Sequence, residues 1–315
     1  MRKLAATVVV VLGIVCALGV ATYARKNPEH RDLDDAARRG APGRFVRLFD
    51  GITHYQIDGP DSGRTVVLVH GFSVPYYIWD STAAALAGAG YRVVRYDEYG
   101  RGWSDRPTRA AYTADLFDRQ LTQLLDSLRI HAPVDVAGVS AGGAVAATFA
   151  SRHPARTRSV VLVDPVAGAR GGVSFPYNVP GLGSVLWQAL VVPGMADGQL
   201  TDFAHPERFP DWVSRYREQM QYRGFGHALL ASRRGAAGVR MDSVYHAVAA
   251  AGAPVLLLWG TEDKTVPFAN NKSVRAAIPN AEFHAIPDAA HLPILERAAV
   301  ADSLILQFLA RHSGR

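Results

Sequence analysis

Four runs constrain this chain more than any other feature: TVVLVHG (65–71), VDVAGVS (134–140), SVVLVDP (159–165) and PVLLLWG (254–260). Each is apolar at successive positions rather than alternate ones, which predicts strands buried on both faces. YRVVRYD (91–97) reads the same way, and AEFHAIP (281–287) reads as a last strand. RFVRLFDGITHYQIDG (44–59) predicts a hairpin turning at Asp50-Gly51. Helical stretches fall between the strands. They are STAAALAGAG (81–90), TADLFDRQLTQLLDSL (113–128) with leucines at helical spacing behind a Thr113 cap, and residues 141–152, 270–277 and 297–311. Strands alternating with helices predict an α/β protein with a mainly parallel sheet and helices on both faces.

The alternation stops between Val166 and about Ala249. Aromatics and prolines take its place, among them Phe175-Pro176-Tyr177, Trp187, Phe203, Trp212, Tyr216 and Phe225. This stretch predicts a helical insertion above the sheet, where a lid over the strand ends would grow. The expected organisation is an N-terminal segment (1–43), a first part of the core (44–165), a helical cap (166–249) and a second part of the core (250–315).

Residues 4–24, LAATVVVVLGIVCALGVATYA, carry no charge and have about the length of a membrane-crossing helix. They are expected to be a membrane anchor, or a signal segment if cleaved, with residues 25–43 as a polar tether. The folded part is then expected outside the cytoplasm, anchored or secreted. The single cysteine, Cys16, lies in this run, so the body has no disulfide, cysteine zinc site or thiol nucleophile. HExxH spacing is missing as well, and neither a metal nor a cofactor is expected. The net charge is +6, but the arginines are scattered and no nucleic-acid motif accompanies them, so no nucleic-acid partner is expected.

Gly138-Val139-Ser140-Ala141-Gly142 carries the chemistry. A single residue that turns a strand into a helix takes strained backbone geometry. Its neighbours two positions away must lack bulk, so both glycines are steric requirements. The serine is held out beside a helix N-terminus, where amide dipoles favour negative charge. A serine hydroxyl needs a base, and the base an orienting acid. His291, in the loop after the last strand, is the candidate base, ahead of His284 inside that strand and His312 in the tail. Asp263, ending PVLLLWGTED, is the candidate acid, with Glu262 beside it and Asp164 after SVVLVD as competitors. The backbone N–H groups of Ala141 and Phe72 are candidate oxyanion donors, and His70 is assigned no chemistry.

VLVHGF (67–72), YDEYGRGWSDRP (96–107), GVSAGG (138–143), GTEDKTVP (260–267) and AAHLPILER (289–297) stand in a familiar order. Over residues 44–315 the chain resembles the α/β-hydrolase fold superfamily, in its branch of capped serine esterases, lipases and carbon–carbon bond hydrolases. The resemblance implies an eight-stranded sheet, a cap inserted after the sixth strand, a Ser140–His291–Asp263 triad, and Phe72 and Ala141 as oxyanion amides. Dehalogenases and epoxide hydrolases of this fold use an aspartate nucleophile, and position 140 is serine. The expected activity is hydrolysis of carboxylic esters of small apolar or lipid-like substrates through an acyl-serine intermediate, with the anchor placing the enzyme near lipid. Carbon–carbon bond hydrolysis of ring-cleavage products is the alternative, and a non-catalytic binding protein on the same fold is the third reading.

Overall fold

In the computed structural model, the residues described are Arg25 and 27–313 without Arg170. Eight strands form one sheet in the order β1-β2-β4-β3-β5-β6-β7-β8. They are β1 (Arg44–Arg47), β2 (Ile52–Asp58), β3 (Thr65–Val69), β4 (Arg92–Tyr96), β5 (Val134–Val139), β6 (Thr157–Val163), β7 (Val255–Gly260) and β8 (Glu282–Ile286). The β1–β2 and β2–β4 pairs are antiparallel, and the remaining pairs are parallel. The parallel strands read as continuous apolar runs because successive side chains enter two different cores. Val67, Val69, Val136 and Leu257 pack with the helices Ala114–Ser127 and Ala141–Arg152 on one face. Val66, Leu68, Ala137 and Leu256 pack with Asp80–Gly88 and Ala298–Arg311 on the other. Thr113 takes the N-cap position of Ala114–Ser127, but its hydroxyl makes no capping bond.

Register sets where the chemistry falls. Val139 lies opposite Val163, Val163 opposite Leu258, and Gly260 opposite Ile286. The carboxyl ends of β5 to β8 are therefore close to level, and the loops bearing Ser140, Asp164, Asp263 and His291 leave the sheet side by side.

Between β6 and β7 the described elements are helices and 3-10 or π turns, including Leu182–Leu186, Met195–Gly198, Trp212–Met220 and Phe225–Gly235. Their aromatics pack largely on one another and on the sheet's second core: Phe203 against Phe209 and Trp212, Trp212 against Tyr77, Tyr216 against Phe225. The last helix of this region, Met241–Ala251, packs against Ala141–Arg152 as an ordinary crossover helix.

The stretch read as a polar tether is docked on this region. Glu29 accepts the amides of Gly224 and Gly226 at 2.6 and 2.7 Å. It thereby caps Phe225–Gly235, a helix whose own N-cap residue is glycine. Arg38 donates to the Trp103 carbonyl and pairs with Asp105.

The expectation of a membrane-anchored or secreted, extracytoplasmic enzyme is corrected here. No helix among the described residues is long and apolar enough to cross a membrane. The longest, Ala114–Ser127 and Ala298–Arg311, have 14 residues, which at about 1.5 Å each span about 21 Å against a hydrocarbon core of about 30 Å. Residues 4–24, on which the anchor was read, lie outside the described residues.

Trp259 of β7 ties this fold to the loop beyond it. It is fully buried, and its indole N–H donates to the Val266 carbonyl at 3.1 Å. Trp259→Ala should lower unfolding free energy by about 3–5 kcal/mol, read by urea denaturation. Trp259→Phe should lose less, because it keeps most of the volume. A loss under about 1 kcal/mol for the alanine variant would show that the site collapses around the cavity.

Candidate active site

Ser140 joins β5 to the helix Ala141–Arg152 with φ 54° and ψ −119°, a conformation that side-chain-bearing residues seldom adopt. Two sets of contacts hold it there. Its N–H donates to Val163 O of β6 at 2.9 Å, and its carbonyl accepts the Gly143 amide at 3.0 Å. The glycines are a steric necessity, as expected. A Cβ at Gly142 would collide with the His70 and Val69 carbonyl oxygens, and one at Gly138 with the Gly142 carbonyl. The helix thus starts with its backbone against the end of β3. A Cβ at Gly71 would lie 3.5 Å from the Ser140 Cβ, so the loop carrying Phe72 passes directly beside the serine.

His70 holds that loop. Its Nε2 accepts the Glu98 amide at 2.9 Å, which places the proton on Nδ1, and Nδ1–H donates to Gly71 O at 2.7 Å. The ring is fully buried, and burial lowers its pKa to about 4. The sequence offered no chemistry for His70, and the structure gives it this positional role.

The Asp263 and His291 side chains meet. His291 Nδ1 lies 2.8 Å from Asp263 Oδ2, and both residues are buried. The other oxygen of Asp263, Oδ1, accepts the amides of Thr265 and Val266 at 2.8 and 2.9 Å. Glu262 is exposed, and His284 pairs with Glu282 on β8. His312 packs edge-on against the Phe308 ring. Asp164 is the competitor that the structure brings in. It is fully buried, and it forms with Asp263 and His291 a group whose ligand-type atoms lie within 4.8 Å of one another. The Asp263 oxygens are occupied by His291 and two amides, so this group has the bonding of a hydrogen-bonded chain and not of an open metal site.

Two acidic residues around His291 carry no local sequence signal. The His291 amide donates to the Asp202 carbonyl at 3.0 Å, from the segment between β6 and β7. Burial raises the pKa of the Asp202 carboxyl, and His291 opposes that shift. Glu296, in Pro293–Glu296, accepts the amides of Ala204 and His205 through Oε1 at 2.8 and 3.0 Å and that of Ala290 through Oε2 at 2.7 Å. One buried carboxylate therefore ties the helical segment to the histidine loop. AAHLPILER contains Glu296 and its near partner Ala290, but the other two partners are 91 and 92 residues away, and only the fold brings them together.

A cleft of about 570 Å³, open mouth included, reaches Ala141, the residue after the serine, while Ser140, Asp263 and His291 are not among its lining residues. Phe72 and Ala141 line it together with Tyr112, Phe117, Val145 and Met241, and Glu98 and Arg101 supply its charged groups. Arg101 is buried and donates to the carbonyls of Phe72 and Tyr99. Burial pulls its pKa down and Glu98 acts against that. The aromatics between 175 and 225 do not line this cleft.

The alpha/beta hydrolase fold family matches residues 64–298, most of the chain. The protein belongs to that family. Among its relatives, the 2-hydroxy-6-oxononadienedioate/2-hydroxy-6-oxononatrienedioate hydrolase of Cupriavidus pinatubonensis is 29% identical over 87% of this chain and 97% of that protein. The 2-hydroxymuconate semialdehyde hydrolase of a Pseudomonas species is 30% identical over 79% of this chain and 88% of its own length. Among solved structures, the enol-lactonase of Burkholderia xenovorans superposes with a TM-score of 0.72 at 26% identity, covering 85% of this chain and all of that one. The eight-stranded sheet with two antiparallel edge pairings is thus that of an alpha/beta hydrolase.

His70 makes stability depend on pH. Its folded-state pKa, about 4, lies below the ordinary 6.5. The contribution of the neutral ring is fully present above pH 6.5 and is lost as pH falls towards 4, because only the unfolded chain takes up the proton in that window. The loss should amount to about 3 kcal/mol. Urea denaturation at pH 7, 5.5 and 4 should show a steeper decline for the wild type than for His70→Gln. Parallel declines would refute the assignment.

Proposed function

We propose that the chain is a serine hydrolase in which Ser140 attacks a carbonyl carbon, His291 moves the proton and Asp263 orients the imidazole. The observation that carries this reading is the buried 2.8 Å contact between His291 Nδ1 and Asp263 Oδ2 at the sheet end where Ser140 sits on its strained turn. With Nδ1–H donating to Asp263, Nε2 is left as the acceptor for the serine proton. The attack makes a tetrahedral oxyanion for the amides of Phe72 and Ala141, and loss of one such donor costs about 2.7–4 kcal/mol of barrier. Collapse expels the leaving group, which takes the proton from the imidazolium. Water, deprotonated by His291, then releases the acid from Ser140. In this reading the helical segment 166–249 is a cap over the site.

For the bond that is cleaved, the relatives' names support carbon–carbon hydrolysis of a ring-cleavage product. This takes precedence over the apolar or lipid-like ester. The aromatics that suggested an acyl chain pack on one another. A carbon leaving group departs when a conjugated carbonyl system accepts its electron pair, so the substrate class is an unsaturated diketone acid. Ester or lactone hydrolysis is the second reading, favoured by the likeness to the enol-lactonase. It uses the same groups with an alkoxide leaving.

The test is fluorophosphonate labelling of wild type and Ser140→Ala, followed by turnover of 2-hydroxy-6-oxo-dienoates and p-nitrophenyl esters. Labelling should vanish in the variant, and kcat should fall about 10³-fold or more. The dienoates should show the higher kcat/KM. The opposite ranking would move the assignment to ester hydrolysis, and folded wild type that takes no label would refute the serine mechanism.

A further inference from the structure

Asp164 leaves the end of β6 with φ 43°, an unfavoured conformation for aspartate, and is fully buried. Its Oδ1 accepts the Gly260 amide of β7 at 2.9 Å. Its Oδ2 is buried and meets no hydrogen-bond donor among the described residues. Yet this carboxyl stands in the same cluster as Asp263 and His291. Two carboxylates cannot both be ionised at such a place, since each would be desolvated and neither would neutralise the other. Of the two, Asp263 has the anion's environment, with two amides and the imidazole donating to it. Asp164 has one amide and an oxygen that lacks a donor, which is the environment of a neutral acid. The charges around it agree. Burial first, then Asp263, push the Asp164 carboxyl well above the usual carboxylate range, and Glu296 adds to this. Asp202, close to both His291 and Asp263, is a further acidic group on the same side.

We propose that Asp164 donates a hydrogen bond through Oδ2 to the Asp263 carboxylate and so acts as a positioning residue for the catalytic pair. The inference rests on the triad reading above and extends it by one group, to Asp164–Asp263–His291–Ser140. Its physical effect is twofold. The donated bond fixes the plane of the Asp263 carboxylate that aims the imidazole. It also spreads part of the Asp263 charge away from His291, so the ion pair formed during catalysis is less tight and the imidazolium gives up its proton more readily to the leaving group.

The experiment uses the full chain and measures the rate of fluorophosphonate labelling against pH, which needs no knowledge of the substrate. Asp164→Asn retains an acceptor for the Gly260 amide and presents an N–H to Asp263, whereas Asp164→Ala removes both. The alanine variant should label about ten- to a hundredfold more slowly, the scale of a lost hydrogen bond to a charged group. Its acid limb should shift to higher pH by about half a unit to one unit, because an undiluted Asp263 charge keeps the imidazole protonated for longer. Asparagine should rescue most of the rate and return the limb towards its wild-type position. Circular dichroism confirms that each variant is folded. If the asparagine variant is as slow as Asp263→Asn, Asp164 works as an ionised acid and the proposal is overturned, with the triad reading intact. An alanine variant whose rate and pH limb match the wild type would overturn it as well. Failure of the triad reading itself has a separate signature, since the wild type would then take no label.

Discussion

The site depends on one close approach, that of the helix Ala141–Arg152 to the end of β3. There is no space for a side chain at position 142 between the helix and the carbonyls of Val69 and His70. Because that gap is closed, the residue between β5 and the helix has to complete the turn alone, and Ser140 is held at φ 54°. The same contact brings the loop after β3 against the serine, so Ser140 and the loop carrying Phe72 are positioned by one packing event. His70 then fixes the loop from below by accepting one amide and donating to the next carbonyl. Strain at the serine is maintained by backbone contacts in a packed interior, where a local relaxation has nowhere to go.

The second half of the site depends on a buried acid network. Asp263 is satisfied by amides of its own loop, and Asp164 reaches it from the neighbouring strand. Glu296 joins the histidine loop to the helical segment through three amides. Unlike surface ion pairs, these bonds lie where water does not compete, so losing one partner strands the others. The position of His291 is consequently tied to the helical segment between β6 and β7, through both Glu296 and the Asp202 carbonyl. Movement of that segment would be felt at His291. This couples the part of the chain with the weakest sequence pattern to the part with the strongest.

Much of the fold was legible because buried parallel strands leave an unmistakable mark. TVVLV, VDVAGV, TRSVVLV and VLLLWG lie where the apolar runs predicted. Among the candidate acids, Asp263 and Glu262 could not be separated by spacing, since either could end the strand. Burial separates them, because a one-residue difference in a loop turns one carboxylate to solvent and the other to the imidazole. The aromatics of the helical segment carried the expectation of an apolar acyl chain or ring. In the structure they pack on one another, and the cleft takes its apolar lining mainly from Phe72, Tyr112, Phe117 and the helix after Ser140.

The sequence alone determined that a mainly parallel sheet would form, that its fifth strand would end in a serine on a tight turn, and that an acid and a histidine would follow after later strands. Those features are local: unbroken apolar runs specify double burial, and glycines at fixed offsets specify a turn that other residues cannot make. Only the tertiary structure decided which acid meets the histidine, that Asp164 stands behind it, that Glu296 staples the two halves, and which side chains line the cleft. These depend on residues tens to more than two hundred positions apart being brought within hydrogen-bonding distance, as when Arg64 of the first buried strand's approach donates to the Leu309 carbonyl of the last helix. Contacts of that kind arise from strand order and register, and no pattern confined to a short stretch of chain contains them.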